Sequence, residues 1–170
     1  MKQRTQYLVG VTTAMALAGF IAHIDAQRRA PGDAPGKQGI QASLKVGNRT
    51  YDSKAPGKCT HAPVASIYQV MSQMWSVQQS SEGRSLTLTV WRPKDGSGDM
   101  VNLSIDSGNS SHDVSTVRGG GPVQGTAKVT FEKSGAGGTF TLEARAKDGT
   151  AMTGTITCDA FAPHIAEGGL

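Results

Sequence analysis

Two cysteines, Cys59 and Cys158, are the only ones in this chain of 170 residues, and they bracket nearly all of its strand-like sequence. A redox or metal-binding pair needs close spacing such as C-x-x-C, or further ligands nearby, and the sequence has neither. In the chain-entropy model, a disulfide that closes a loop of about 100 residues stabilises a domain by roughly 4–5 kcal/mol. We therefore predict a structural disulfide that ties the last strand to the segment after the first hairpin. That hairpin is expected to turn at Gly47-Asn48, and Pro56-Gly57 is expected to break the run just before Cys59.

The N-terminus has the three parts of an export signal. Lys2 and Arg4 precede a mostly apolar run over residues 7–24, and Ala26 is a suitable small residue at the cut. We predict a signal peptide over residues 1–26 and a secreted or periplasmic location, where two cysteines pair readily. The alternative is an uncleaved membrane anchor, because the run reaches the lower limit of a spanning helix. After cleavage we expect no membrane span.

Residues 27–39 read QRRAPGDAPGKQG, with two Ala-Pro-Gly steps separated by charges. Such a segment has no large apolar side chain with which to build a core, and it is predicted to be a disordered linker. A single β-domain is expected over residues 40–161. Residues 162–170, which contain Pro163, Gly168 and Gly169, are predicted to be a flexible tail.

Composition favours strands and argues against nucleic acid as a partner. The chain has 22 glycines and only 5% aromatic residues, which is typical of an all-β domain with many turns. The net charge is +4, but several positive residues lie in the linker, whereas nucleic-acid binding requires Lys and Arg clustered on one face.

Apolar and polar residues alternate along most of the predicted strands. Leu86, Leu88 and Val90, for example, alternate with threonine and Trp91. This pattern indicates antiparallel strands with one buried face. We predict an all-β antiparallel sandwich or flattened barrel of about eight strands. Cys158 has the parity of Ile156, so it is expected to point into the core.

Residues 64–75 follow a different pattern. Ile67, Val70, Met71 and Met74 are spaced at i, i+3, i+4 and i+7, which matches one face of a helix. One short helical turn is predicted here. Tyr68 and Trp75 are interpreted as core residues.

A resemblance to known proteins lies in three stretches of the sequence: GKCTHAP, SLTLTVWRPKDG and GTITCDAF. They resemble uncharacterised small exported bacterial proteins with two cysteines and a β-domain. The layout is also similar to mycobacterial LpqH-type lipoprotein antigens. The chain lacks the lipid-bearing cysteine of those antigens, so the resemblance does not imply a lipid anchor. It supplies no catalytic residues.

Trp91 and Arg92 form the one candidate binding site. Strand alternation sends Trp91 to the side opposite Leu88 and Val90, and an exposed Trp beside Arg is a common means of stacking on sugars or anchoring partners. The alternative is a strand buried on both faces, with Trp91 as part of its end.

No catalytic or metal motif is present. His61, His112 and His164 lack metal-binding spacing, and no Gly-x-Ser-x-Gly elbow occurs. We expect no metal, no cofactor and no enzymatic activity. The sequence indicates an exported non-catalytic domain that binds an unknown protein, ligand, glycan or cell-envelope component. The alternative is a secreted hydrolase with an unrecognised active site.

Overall fold

The computed structural model describes residues 38–119 and 121–164. Ten strands and no helix occur within these residues. The strands are β1 (Gln38–Val46), β2 (Arg49–Ile67), β3 (Val70–Ser81), β4 (Arg84–Pro93), β5 (Met100–Ser107), β6 (Ser111–Ser115), β7 (Thr126–Ser134), β8 (Gly137–Arg145), β9 (Ala151–Cys158) and β10 (Ala162–Pro163).

Nine of these strands form one antiparallel sheet in the order β6-β5-β4-β3-β2-β1-β9-β8-β7. The short β10 pairs in parallel with β2. The sheet curls into a half-barrel, which confirms the predicted all-β antiparallel fold. At the two edges, Ser115 at the end of β6 and Gln124 just before β7 exchange both backbone hydrogen bonds at 2.8 Å. Within residues 38–119 and 121–164, this bridge joins the two edges of the curled sheet.

The core follows the alternation of the sequence. Along β1 the side chains of Ile40, Ala42, Leu44 and Val46 are buried, and the residues between them are exposed. Such alternation buries one face of each strand and leaves the other in water. The largest fully buried side chains include Phe140, Ile40, Leu44, Leu86, Leu88, Ile105, Leu142, Met152 and Ile156.

The predicted disulfide is confirmed. Cys59 on β2 is bonded to Cys158 on β9, with their Cα atoms 6.3 Å apart. Both strands pair with β1, and Ile40 of β1 lies opposite Cys158. The backbone N–H of Cys59 also donates to the side-chain oxygen of Gln38, at 2.8 Å. The disulfide therefore joins the two neighbours of β1 near its first residues.

The predicted helical turn over residues 64–75 is wrong. This segment is the end of β2 and the start of β3, joined by a two-residue turn at Tyr68 and Gln69. Both turn residues have positive φ, 47° and 68°, as tight hairpins of this kind require. The turn places Ile67 opposite Val70, so a hairpin produces the same i, i+3 spacing as a helix. Tyr68 is 55% exposed at the tip, which corrects its interpretation as a core residue.

Strand β2 also runs through Pro56 and Gly57, where the sequence suggested a break. Gly57 pairs with Gln38 on one side and Gln79 on the other. A Cβ atom at Gly57 would overlap the backbone oxygen of Gln78 and the side chain of Ile40. Glycine therefore permits a close approach of neighbouring strands at this point rather than a turn.

The ends of the β-domain differ slightly from the expected boundaries. Strand β1 begins at Gln38, two residues before the predicted start, and β10 lies within the predicted tail. The predicted signal peptide over residues 1–26 and most of the linker lie outside the described residues, as do residues 165–170. Within the described part of the chain, no helix is long and apolar enough to cross a membrane.

Candidate functional site: an aromatic cleft at one end of the half-barrel

A cleft of about 490 Å³ opens at the end of the half-barrel near the disulfide-bonded strands β2 and β9. Strands β2 and β3, the β7–β8 hairpin and the segment after β9 all contribute to it. We call it the aromatic cleft and define it by six lining residues: His61, Gln73, Trp75, Phe131, Lys133 and Phe161.

His61 and Trp75 form one wall of the aromatic cleft. They are directly opposed on β2 and β3, so their side chains leave the sheet on the same face. The imidazole and indole rings are stacked, with centroids 4.8 Å apart and an interplanar angle of 16°. The guanidinium carbon of Arg92 lies 5.4 Å from the centroid of the indole. Trp75 is only 5% exposed, which confirms it as a core residue.

Phenylalanine rings form the opposite wall. Phe131 on β7 lies 5.3 Å from Trp75, 4.8 Å from Phe140 on β8 and 5.7 Å from Phe161, measured between ring centroids. The Phe131–Phe161 pair is T-shaped, an arrangement that aromatic quadrupoles favour. Gly138 makes room for this cluster, because a Cβ atom there would overlap the ring of Phe131.

Residues 159–164, which we call the C-terminal strap, carry Phe161 to this position. The N–H of Asp159 donates to the backbone oxygen of Gly39 at 3.1 Å, and the N–H of Phe161 donates to that of Ala136 at 2.9 Å. Strand β10 then pairs with β2, and the N–H of His164 donates to the backbone oxygen of His61 at 3.0 Å. The strap therefore runs from the end of β9 past the β7–β8 hairpin to β2.

Burial dominates the electrostatics of His61. It lowers the pKa of the imidazole below its ordinary value; the side-chain amide of Gln73 acts in the opposite direction, and the charge of Lys133 adds to the lowering. Nε2 is buried and has no hydrogen-bonding partner among the described residues. Burial therefore favours the uncharged form of His61.

Lys133 supplies the charge at the aromatic cleft. It is exposed near the end of β7, and it forms no ion pair within residues 38–119 and 121–164. None of the described residues that line the cleft is a carboxylate. The cleft thus combines an apolar interior with a single positive charge, one imidazole and one amide.

The structure places the predicted pair, Trp91 and Arg92, on opposite faces of β4. Trp91 is half-buried on the outer face, opposite Met74 on one neighbouring strand and Met100 on the other. Arg92 lies on the inner face, where Asp99 holds its guanidinium through two nitrogens, at 2.9 Å from Nη2 to Oδ2. The two side chains therefore do not form one surface, and Arg92 already has a partner.

Of the three histidines considered above as metal ligands, the structure brings two together and places the third elsewhere. The strap brings His164 next to His61, whereas His112 lies on β6. Among the residues described, no group of three or more His, Cys, Asp or Glu side chains is arranged to hold a metal ion.

Sequence reasoning missed the aromatic cleft because its residues come from four separate segments. The alternation of β7 and β8 places Phe131 and Phe140 on the inner face, which was a usable signal. No local pattern indicates that the strap returns to β2, and it is the strap that forms the remaining wall.

No protein-family model, no curated protein and no solved structure matches this chain. Its resemblance to exported bacterial two-cysteine proteins and to LpqH-type antigens stays a prediction. The described part of the chain is a half-barrel with one disulfide and an aromatic cleft at one end.

Proposed function

We propose that this protein is an exported, non-catalytic domain that binds a small molecule in the aromatic cleft. One observation carries the proposal: aromatic rings from three parts of the fold enclose a cleft of about 490 Å³. Ligand sites are typically apolar concavities of this size with a few polar groups, and the mouths of β-barrels are a common place for them.

The chemistry of the lining supports binding more than catalysis. The described side chains that line the cleft offer an imidazole, an amide and an amine, but no hydroxyl, thiol or carboxylate. Nucleophilic catalysis pairs a nucleophile with a base that is itself oriented by a third group. His61 has no such neighbours in the cleft, so the geometry does not favour the alternative of a secreted hydrolase.

The geometry also favours a small apolar ligand over a glycan. Sugars typically pack against an open aromatic face. The indole of Trp75 is covered by His61 and Arg92, and little of it is exposed.

Export is supported by the disulfide, which is compatible with an oxidising compartment. If the protein is secreted or periplasmic, its N-terminus is expected near Gln27. N-terminal sequencing of the exported form tests this, and recovery of Met1 on membrane-bound protein would instead support an anchor.

The binding proposal is tested with 1-anilinonaphthalene, a neutral aromatic probe. In a Trp91→Phe variant, Trp75 is the only tryptophan, so its fluorescence reports directly on the cleft. We expect saturable binding of one probe per protein with a change in Trp75 emission.

Phe161→Ala removes a wall of the cleft and should weaken this binding at least tenfold. Val123→Ala is the matched control, because Val123 is an exposed apolar residue outside the cleft. Equal affinity in both variants would place the probe elsewhere. If the wild-type protein binds the probe and the Trp91→Phe variant does not, the result would favour a binding site on the outer face around Trp91.

A further inference from the structure

The binding proposal assigns no role to Lys133, which also lines the aromatic cleft. It lies on β7 opposite Gly138, at the end of the strand that also carries Phe131. Positions 131 and 133 differ by two, so both side chains leave the strand on the face of the cleft. The aliphatic stem of a lysine packs along apolar surface while its ammonium group stays in water. Lys133 is exposed and lines the cleft, so its ammonium group is expected at the rim.

The charge of Lys133 is not neutralised by its surroundings. Glu132 precedes it on β7 and leaves the strand on the opposite face. Asp159 lies nearby in the strap, but its carboxylate is directed at Gly39 and does not line the cleft. In the described ranges the only ion pair joins Arg92 to Asp99. An unpaired cation thus stands beside an apolar cavity.

The field of Lys133 reaches into the cleft. Its charge is one of the causes that lower the pKa of the His61 imidazole. The same positive potential favours an anionic group bound between them and disfavours a cationic one.

On the basis of the proposed function, we infer that the ligand of the aromatic cleft is an amphiphilic anion. Its apolar or aromatic body would lie against Phe131 and Phe161, and its anionic group would pair with Lys133 at the rim. A carboxylate and a sulfonate share the required chemistry, which is a compact anion attached to an apolar body. Lys133 is therefore a specificity-determining residue, because it selects among apolar molecules by their charge.

Two probes with the same aromatic body test this inference: neutral 1-anilinonaphthalene and anionic 8-anilinonaphthalene-1-sulfonate. The wild-type protein is expected to bind the anion about two- to fivefold more tightly, the range of one partly exposed ion pair. Raising the salt concentration should reduce this preference, because exposed charges are screened. A naphthoate tested in parallel shows whether a carboxylate is accepted as well as a sulfonate.

Lys133→Gln should weaken binding of the anion more than binding of the neutral probe, and so remove the preference for the anion. Lys133→Arg should restore the preference. Lys128→Gln is the matched control, because Lys128 is on the same strand and outside the cleft. It should keep the wild-type preference.

The possible failures are distinguishable. Equal affinities for the two probes in the wild-type protein would overturn the anion inference and leave the cleft as a binding site for neutral molecules. Equal weakening of both probes by Lys133→Gln would also overturn it, since the lysine would then act through packing. Failure of both probes to bind in the cleft would overturn the proposed function itself.

Discussion

The imidazole of His61 lies parallel to the indole of Trp75, with 4.8 Å between the ring centroids. This stack joins a titratable group to a nearly buried aromatic residue, so the protonation state of His61 is coupled to the folded structure. Protonation would place a second positive charge near Lys133 and in a partly buried site. The stack should consequently be least stable at acidic pH.

The pH dependence has a definite sign. The pKa of His61 is lowered in the folded protein, first by burial, whereas the unfolded chain titrates near 6.5. As pH falls through that value the unfolded state takes up the proton first, and stability decreases. We expect a loss below about 1 kcal/mol between pH 7.5 and 5, because the group is partly exposed.

Urea unfolding of the wild-type protein and a His61→Gln variant at pH 7.5 and 5 measures this effect. The variant should lose less stability than the wild-type protein over this range, with His112→Gln as the matched control. A titration of the imidazole by NMR should give a pKa for His61 below 6.5. A value above 6.5 would contradict the prediction.

The disulfide between Cys59 and Cys158 is expected to contribute a large part of the stability. It closes a loop with a sequence separation of 99 residues. A Cys59→Ser/Cys158→Ser double variant should therefore be less stable by roughly 2–5 kcal/mol in urea unfolding. A change below about 1 kcal/mol would mean that the unfolded chain gains little freedom when the bond is absent.

The two tryptophans should differ sharply in their contributions to stability. Trp75→Ala leaves a cavity beneath His61 and beside Phe131, and it should lower the free energy of unfolding by about 3–5 kcal/mol. Trp91→Ala should have an effect of about 1 kcal/mol, because Trp91 is half-buried on the outer face. Chemical denaturation of both variants gives the comparison. Equal effects would mean that the outer face around Trp91 is packed as tightly as the core.

Gly57 is expected to tolerate no side chain. A Cβ atom there overlaps the backbone of β3 and Ile40, so Gly57→Ala should destabilise the protein by about 1–3 kcal/mol. Gly98→Ala is the matched control, since no described atom lies within 4 Å of a Cβ placed there, and it should change stability by less than about 0.5 kcal/mol. Similar thermal unfolding midpoints for the two variants would show that β2 can move away from β3.

The sequence predicted the features of this fold that depend on strand alternation. Leu86, Leu88 and Val90 have the inward parity of buried residues, and the parity of Cys158 correctly placed the disulfide in the core. The helix over residues 64–75 was mispredicted because a two-residue turn reproduces a helical spacing. The parity of the side chains shows which residues face inward, but it does not specify which residues pair across neighbouring strands.

The aromatic cleft could not be predicted from strand alternation. His61 and Trp75 meet through the register of β2 and β3, and Phe161 arrives through backbone hydrogen bonds of the strap. Each of these residues looks ordinary in its own segment. Strand alternation correctly predicted that Trp91 faces outward. It could not predict the pairing of Arg92 with Asp99 on the inner face, because that contact depends on the β4–β5 loop.

The order of the sheet has a consequence for how the chain folds. Among the nine antiparallel strands every neighbouring pair is consecutive in sequence except β1 and β9, so β1–β6 and β7–β9 are two meanders of local hairpins. The β1–β9 pairing joins residues about 110 positions apart, and closing that loop carries an entropic cost that slows folding. The disulfide lies beside the β1–β9 pairing. A chain that keeps the bond while unfolded begins refolding with β9 already held close to β2 and β1, whereas a reduced chain has to bring these strands together by diffusion.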